Sequence, residues 1–206
     1  MKRLGIMGGT FDPIHFGHLF IAEEARLRCG LDKVLWIPNN VPAHREGKVA
    51  AVDSETRARL TQIGIRDNAA FELSRIELER PGRSFLFDTL NELQEMYVET
   101  ELFFICGADS MRDVLTWYRG AELFDLCTFV AASRPGIERV TAMANLSPEQ
   151  NARVVWLDVP GLHIASRDIR ERVQNRLPIR YLVPDAVERE IRLHSLYQPQ
   201  TTKGIE

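Results

Sequence analysis

Leu4-Gly5-Ile6-Met7-Gly8-Gly9-Thr10-Phe11-Asp12-Pro13-Ile14-His15-Phe16-Gly17-His18 is the stretch that decides the fold. Leu4 to Met7 is a short apolar run of buried-strand character, and it ends on two glycines. From about His18 to Cys29 the spacing turns helical, and Gly30 stands at the C-cap position. Val34 to Ile37 is a second apolar run, closed by Pro38. Strand, helix and strand in that order make a βαβ unit with parallel strands.

Working outward, the same alternation continues. Helical patterns cover Ser54 to Gly64 and Ser84 to Met96, the latter with Leu86, Leu90 and Leu93 on one side. Strands are expected at Phe71 to Leu78, Leu102 to Cys106, Thr128 to Ala132 and Val154 to Leu157, with a helix over Asp109 to Trp117. Helices near Ser166 to Asn175 and Pro184 to Leu193 follow, with Pro184 at the first helical position. Pro38 to Val52 is a long loop, of a length that goes with function more than with mere connection. The expected fold is α/β: one Rossmann-like, doubly wound parallel sheet over residues 1–206, with a small C-terminal helical part from about 164 to 197.

The chain has 206 residues, 45% hydrophobic and 27% charged, which excludes a disordered class. No stretch approaches the apolar length of a membrane span, and the N-terminus lacks the apolar region of a signal peptide. Cys29, Cys106 and Cys127 are odd in number and widely spaced, as expected of reduced thiols in the cytoplasm. Twenty-six basic residues stand against 29 acidic ones, a net charge of −3. A general binder of nucleic-acid polymers or of anionic membranes carries a basic excess, so neither is an expected partner. Among the basic residues Arg far outnumbers Lys. Oligomeric state is not legible.

The chemistry gathers in two segments. Gly8-Gly9 followed by a helix start lets a phosphate approach the backbone and offers it free N–H groups. It is neither the G-x-G-x-x-G fingerprint nor a G-x-x-x-x-G-K-[ST] loop. His15 and His18, three apart, can face one bound group, and each imidazole can donate to a phosphate oxygen. The same spacing also suits ordinary helix-start residues, or two ligands of a metal site that has no third ligand nearby. The second segment is Ile164-Ala165-Ser166-Arg167-Asp168-Ile169-Arg170. Ser166 reads as an N-cap, while Arg167 and Arg170 sit in a first turn, where positive charge opposes the macrodipole. They serve either an anion or a solvated helix face.

The first block resembles the H-x-G-H signature of the nucleotidyltransferase superfamily, and Ile164 to Arg170 resembles its I-S-S-T-x-I-R signature. Within it the chain is similar to the bacterial nicotinate-nucleotide adenylyltransferases. Further matches are Pro38-Asn39-Asn40-Val41-Pro42-Ala43-His44-Arg45, Phe87-Asp88-Thr89-Leu90, Phe104-Ile105-Cys106-Gly107-Ala108-Asp109, Trp117 and Ser133-Arg134-Pro135-Gly136, so the resemblance spans about residues 3 to 197.

The resemblance implies adenylyl transfer from ATP to nicotinate mononucleotide, with Mg²⁺ carried on ATP and no metal ligands from the protein. An adenylyltransferase for another phosphate acceptor, nicotinamide mononucleotide or phosphopantetheine, is the nearest alternative; a catalytically silent nucleotide-binding module is the next. It further implies that His15, His18 and Arg170 are catalytic. Gly8, Gly9, Thr10, Phe11, Gly17, Arg45, Gly107, Asp109, Arg134, Ser166 and Ile169 fall to ATP, with Asp109 on the ribose hydroxyls. Asp12, Leu86, Thr89, Trp117 and Tyr118 fall to the mononucleotide, with Trp117 stacked on the pyridine ring. Taken alone, Asp109 also reads as an N-cap and Trp117 as core. Ala165, Arg167, Arg45 and Leu86 depart from the family pattern, and Leu86 leaves backbone amides near Tyr118 to read the nicotinate carboxylate.

Overall fold

The computed structural model describes residues 1–42, 49–133, 141, 143–160 and 162–199. Arg45 and Arg134 lie outside the described residues. A six-stranded sheet forms the centre, all of its strands parallel. Strand β1 (Lys2–Gly9) pairs on one side with β2 (Lys33–Pro38), which pairs with β4 (Phe71–Leu73). On its other side β1 pairs with β6 (Thr100–Gly107), followed by β7 (Thr128–Ser133) and β8 (Val154–Asp158). The strand order therefore reverses between β1 and β6. In open α/β sheets a ligand sits at such a reversal, beyond the carboxyl ends of the strands. Gly9 and Gly107 are those two ends.

Alternate residues of each strand feed two apolar layers. Phe103 and Ile105 join Val34, Trp36, Val130 and Ala132 on one face. There they pack against α1 (Phe16–Cys29), α2 (Ser54–Ile65), α8 (Ser166–Gln174) and α9 (Asp185–Leu193), through Ala22, Leu60, Ile169 and Val187. Leu102, Phe104 and Cys106 face the other way, onto Leu86, Leu90 and Leu93 of α4 (Leu86–Met96) and onto Met111 of α5 (Ala108–Asp113). Burying both faces is what makes the strands apolar throughout instead of alternating. Gly30 closes α1 in the left-handed region (φ 61°), its N–H donating to the Arg26 carbonyl.

Several expected boundaries are corrected. Phe71 to Leu78 is not one strand: pairing stops after Leu73, where Ser74 N–H donates to the Trp36 carbonyl. The Ser74 hydroxyl then accepts from Ile76 N–H, and a helical turn α3 (Ile76–Glu79) begins. Ser84 belongs to a two-residue strand β5 (Arg83–Ser84), paired in parallel with β3 (Val41–Pro42) from within the long loop. The helix expected over Asp109 to Trp117 is α5 followed by a 3₁₀ turn over Val114–Thr116, which ends at Trp117. Two short helices, α6 (Leu123–Leu126) and α7 (Pro148–Ala152), have too few turns to show a period. Pro184 occupies the N-cap of α9, one residue before the first helical position.

Candidate active site

The Gly8-Gly9 turn leads from the end of β1 to α1, whose N-cap is His15 in an extended conformation. His15 Nδ1 accepts the His18 N–H at 3.3 Å. In the neutral ring that assigns the hydrogen to Nε2, leaving a donor on the far edge of the imidazole. The His15 and His18 rings stack 3.6 Å apart, and Phe11 meets His18 edge-on at 5.2 Å. Gly17 lies directly under this pair. A Cβ there would sit 3.0 Å from His15 Nδ1, so the glycine of H-x-G-H is what lets the first histidine fold over its own helix.

The two signatures are far apart in sequence and joined in space. Ser166 Oγ donates to the Pro13 carbonyl at 2.8 Å, and Arg170 Nη1 donates to the Asp12 carbonyl at 2.6 Å. Asp12 and Pro13 are linked by a cis peptide. The α8 helix is thus bonded to the turn that carries the histidines, and Arg170 keeps further guanidinium donors beyond the one it spends there. Ser166 is not the N-cap that its type suggested. That position is held by Ala165, which has no capping side chain, so the start of α8 has no side-chain acceptor of its own. Ile169 is fully buried in the first apolar layer, and Arg167 points to solvent beside Asp168 and Glu171.

At the neighbouring strand end, Gly107 is the N-cap of α5 and Asp109 lies exposed in its first turn. Asp109 is not the cap that its type also allowed. A Cβ on Gly107 would come within 2.5 Å of the Asp109 carboxylate, so the glycine leaves room for that carboxylate to turn back towards the strand end. Trp117 packs edge-on against Phe104. Tyr118 is half exposed and rests on Phe85 and Phe87, whose ring also carries the Arg119 guanidinium at 3.8 Å.

Two expected mononucleotide contacts face inward. Leu86 belongs to the second apolar layer. The Thr89 hydroxyl is fully buried, donating to Glu77 Oε1 at 2.8 Å and accepting from Arg80 Nη1 at 3.0 Å. Burial pushes the Glu77 carboxyl up, against hydrogen bonds from Thr89 and Ser84 that pull it down. Asp12 is only 5% exposed, and its Oδ2 accepts the Ala51 N–H at 2.7 Å.

Arg57 was not singled out from the sequence, where it reads as one polar residue of an amphipathic helix. It is 1% exposed, and its guanidinium donates to the carbonyls of Thr10, Asn39 and Asn40 at 2.7–3.1 Å. It therefore clamps the turn after β1 to the loop after β2, and Asn39 adds a side-chain bond to the Thr10 hydroxyl. The signal available was its place on the inward stripe with Thr61 and Ile65. Among the described residues, no group of three His, Cys, Asp or Glu side chains could hold a metal ion. Among them, too, no helix is long and apolar enough to cross a membrane.

A model of the cytidylyltransferase-like family matches residues 6–172. The chain is 44% identical over 98% of both chains to a protein of Thermoanaerobacter sp. (strain X514) described as a probable nicotinate-nucleotide adenylyltransferase. It is 43% identical to one so described from Moorella thermoacetica, over 96% of this chain and 93% of the relative. Among solved structures, Plasmodium falciparum nicotinic acid mononucleotide adenylyltransferase complexed with NaAD superposes with a TM-score of 0.75 at 18% identity, covering 96% of this chain and 98% of that one. At that identity the likeness speaks for the fold. The sheet order, the joined signatures and these matches lead to one conclusion: the chain belongs to the cytidylyltransferase-like family.

Proposed function

We propose that this protein transfers the adenylyl group of ATP to nicotinate mononucleotide, giving nicotinate adenine dinucleotide and pyrophosphate. The observation that carries the reading is the bonding of Ser166 and Arg170 to the carbonyls of Pro13 and Asp12, which sets two anion-binding helix starts around one turn. The descriptions of relatives similar over nearly the whole chain name the acceptor.

The phosphate of the mononucleotide is already anionic near neutrality and attacks the α-phosphorus of ATP. A new P–O–P bond forms while the bond to the β-phosphate oxygen breaks, and pyrophosphate leaves with the electron pair. No general base is needed, so catalysis reduces to alignment and to stabilising charge on the transferring phosphorus. The His15 Nε2–H and the His18 imidazole supply donors on one side of it. Arg170 and the open N-terminus of α8 supply them to the leaving phosphates. Asp109 holds the ribose hydroxyls, and Trp117 with Tyr118 forms the aromatic ground for the pyridine ring. Mg²⁺ would enter as the ATP complex, held by phosphate oxygens and water. Bound there, the ion neutralises phosphate charge. The expected compartment is the cytoplasm.

The test is incubation with ATP, Mg²⁺ and either nicotinate mononucleotide or its amide, following pyrophosphate. Turnover that favours the acid is expected. No turnover with either sinks the reading; preference for the amide overturns the acceptor alone and turns attention to the apolar Leu86.

A further inference from the structure

Tyr197 follows α9 in the left-handed backbone region (φ 62°), and its ring packs into the first apolar layer. Only 7% of it is exposed. The phenol faces the carboxylate of Asp12, with the positive charges of Arg170 and Arg57 beside it. Burial first, and the Asp12 charge second, push its ionisation well above the ordinary range, so the hydroxyl keeps its proton and remains a donor. The Tyr197 hydroxyl and Asp12 Oδ1 are both buried, and neither completes a hydrogen bond of ordinary geometry with any described group.

Asp12 Oδ1 is therefore an acceptor short of a donor, and Tyr197 a donor short of an acceptor, on facing side chains. The other carboxylate oxygen accepts Ala51 N–H at 2.7 Å and lies 3.7 Å from Arg170 Nη1, the nitrogen already spent on the Asp12 carbonyl. A carboxylate left half satisfied would draw the guanidinium closer than the present 3.7 Å, and one held by two donors would pull on it less.

We propose that Tyr197 is a positioning residue for adenylyl transfer: its hydroxyl donates to Asp12 Oδ1 and so leaves Arg170 turned towards the nucleotide phosphates. The inference rests on the proposed function and adds to it a residue that need touch neither substrate. It links the segment after α9 to the turn after β1 through one buried carboxylate, while the segment before α9 is tied to the start of α1 by Phe16 N–H, which donates to the Leu182 carbonyl at 3.0 Å.

The experiment is Tyr197→Phe in the full chain, which keeps the ring in the core and removes the hydroxyl alone. With Arg170 displaced, kcat is expected to fall about tenfold to a hundredfold, the usual cost of a misplaced catalytic group. The loss should fall on kcat far more than on KM for the mononucleotide, as expected when the interaction lost belongs to the transition state. The melting temperature should stay within about 3 °C of the parent's, a span smaller than the loss of a major core contact. Unchanged kcat overturns the inference. So does a fall in kcat that comes with a matching loss of melting temperature, since that marks a structural role. Parent protein without turnover would sink the proposed function and this inference with it, whereas an active parent and an equally active variant would sink this inference alone.

Discussion

Arg170 Nη1 reaches the main-chain carbonyl of Asp12 at 2.6 Å, a bond between residues 158 apart in the chain. A guanidinium can make that bond and still present donors elsewhere, because its five N–H groups are fixed in a planar fork. An ammonium of the same charge has three donors, but all on one nitrogen, so it lacks the spread of the guanidinium fork that lets one edge hold the carbonyl while the other faces a phosphate. Arg170→Lys should therefore lower kcat about a hundredfold with the fold retained, the usual cost of one lost transition-state donor. Steady-state pyrophosphate release together with circular dichroism checks it, and activity within a few-fold of the parent's would show that charge alone suffices.

The two histidines should separate by stability. Each contributes a phosphate donor in the proposed reaction, so His15→Ala and His18→Ala should both lose about 10²–10³ in kcat. Only His15 also caps α1, through its Nδ1. Losing a cap costs about 1 kcal/mol, or roughly 2–4 °C of melting temperature in a domain of this size. Calorimetry on both variants reads the difference, and near-normal turnover in His18→Ala would remove it from the phosphate site.

Arg57→Met tests the clamp between the two loops. The thioether fills much of the same space and leaves the carbonyls of Thr10, Asn39 and Asn40 without their donors. Burial already disfavours the Arg57 cation, so part of the loss is returned when the charge goes. The net expectation is about 3 kcal/mol of destabilisation, from several buried acceptors left unpaired. Denaturant unfolding measures it; no shift in midpoint would mean that the loops hold their positions without the arginine.

Glu77 carries a pH dependence. Burial raises its carboxyl in the folded chain, and the unfolded chain titrates in the ordinary range. The folded state thus binds the proton more tightly, and its contribution to stability is full below the unfolded pKa and lost as pH rises through the folded one. Glu77→Gln has no proton to lose. Its melting temperature should exceed the parent's near neutral pH, and the gain should shrink towards about pH 4, where the unfolded carboxyl is itself protonated. A difference that stayed constant with pH would place the cause elsewhere.

The centre of the fold was legible because burying both faces of a parallel sheet writes continuous apolar runs, and Leu4 to Met7 and Leu102 to Cys106 are such runs. The two signature segments were legible as well, and the structure brings them together through Ser166 on Pro13 and Arg170 on Asp12. What could not be seen is where polar side chains turn inward. Arg57 lies in a helix whose polar residues suit solvent and Tyr197 just past the last helical pattern, and only tertiary packing shows them buried. Ser166 has the residue type of a cap but bonds to Pro13 instead, a partner 153 positions away that no local window contains. The break at Ser74 was hidden for the opposite reason: one bond, Ile76 N–H donating to the Ser74 hydroxyl, turns the chain into α3, and nothing in the apolar count records it.

The bond from Ser166 to Pro13 also sets an order of events on the ribosome. The turn that carries the histidines is made early, and the residues that grip it follow 153 positions later. At about 5–20 residues per second that gap lasts roughly 8–30 s. For the first part of that interval β1 also lacks β6, and throughout it the histidine turn lacks α8. A nascent chain stalled before Ser166 carries both histidines and the glycines yet lacks the segment proposed to hold the leaving phosphates. On the proposed reading, a chain that stops before Ser166 is expected to occupy nucleotide poorly and to release no pyrophosphate.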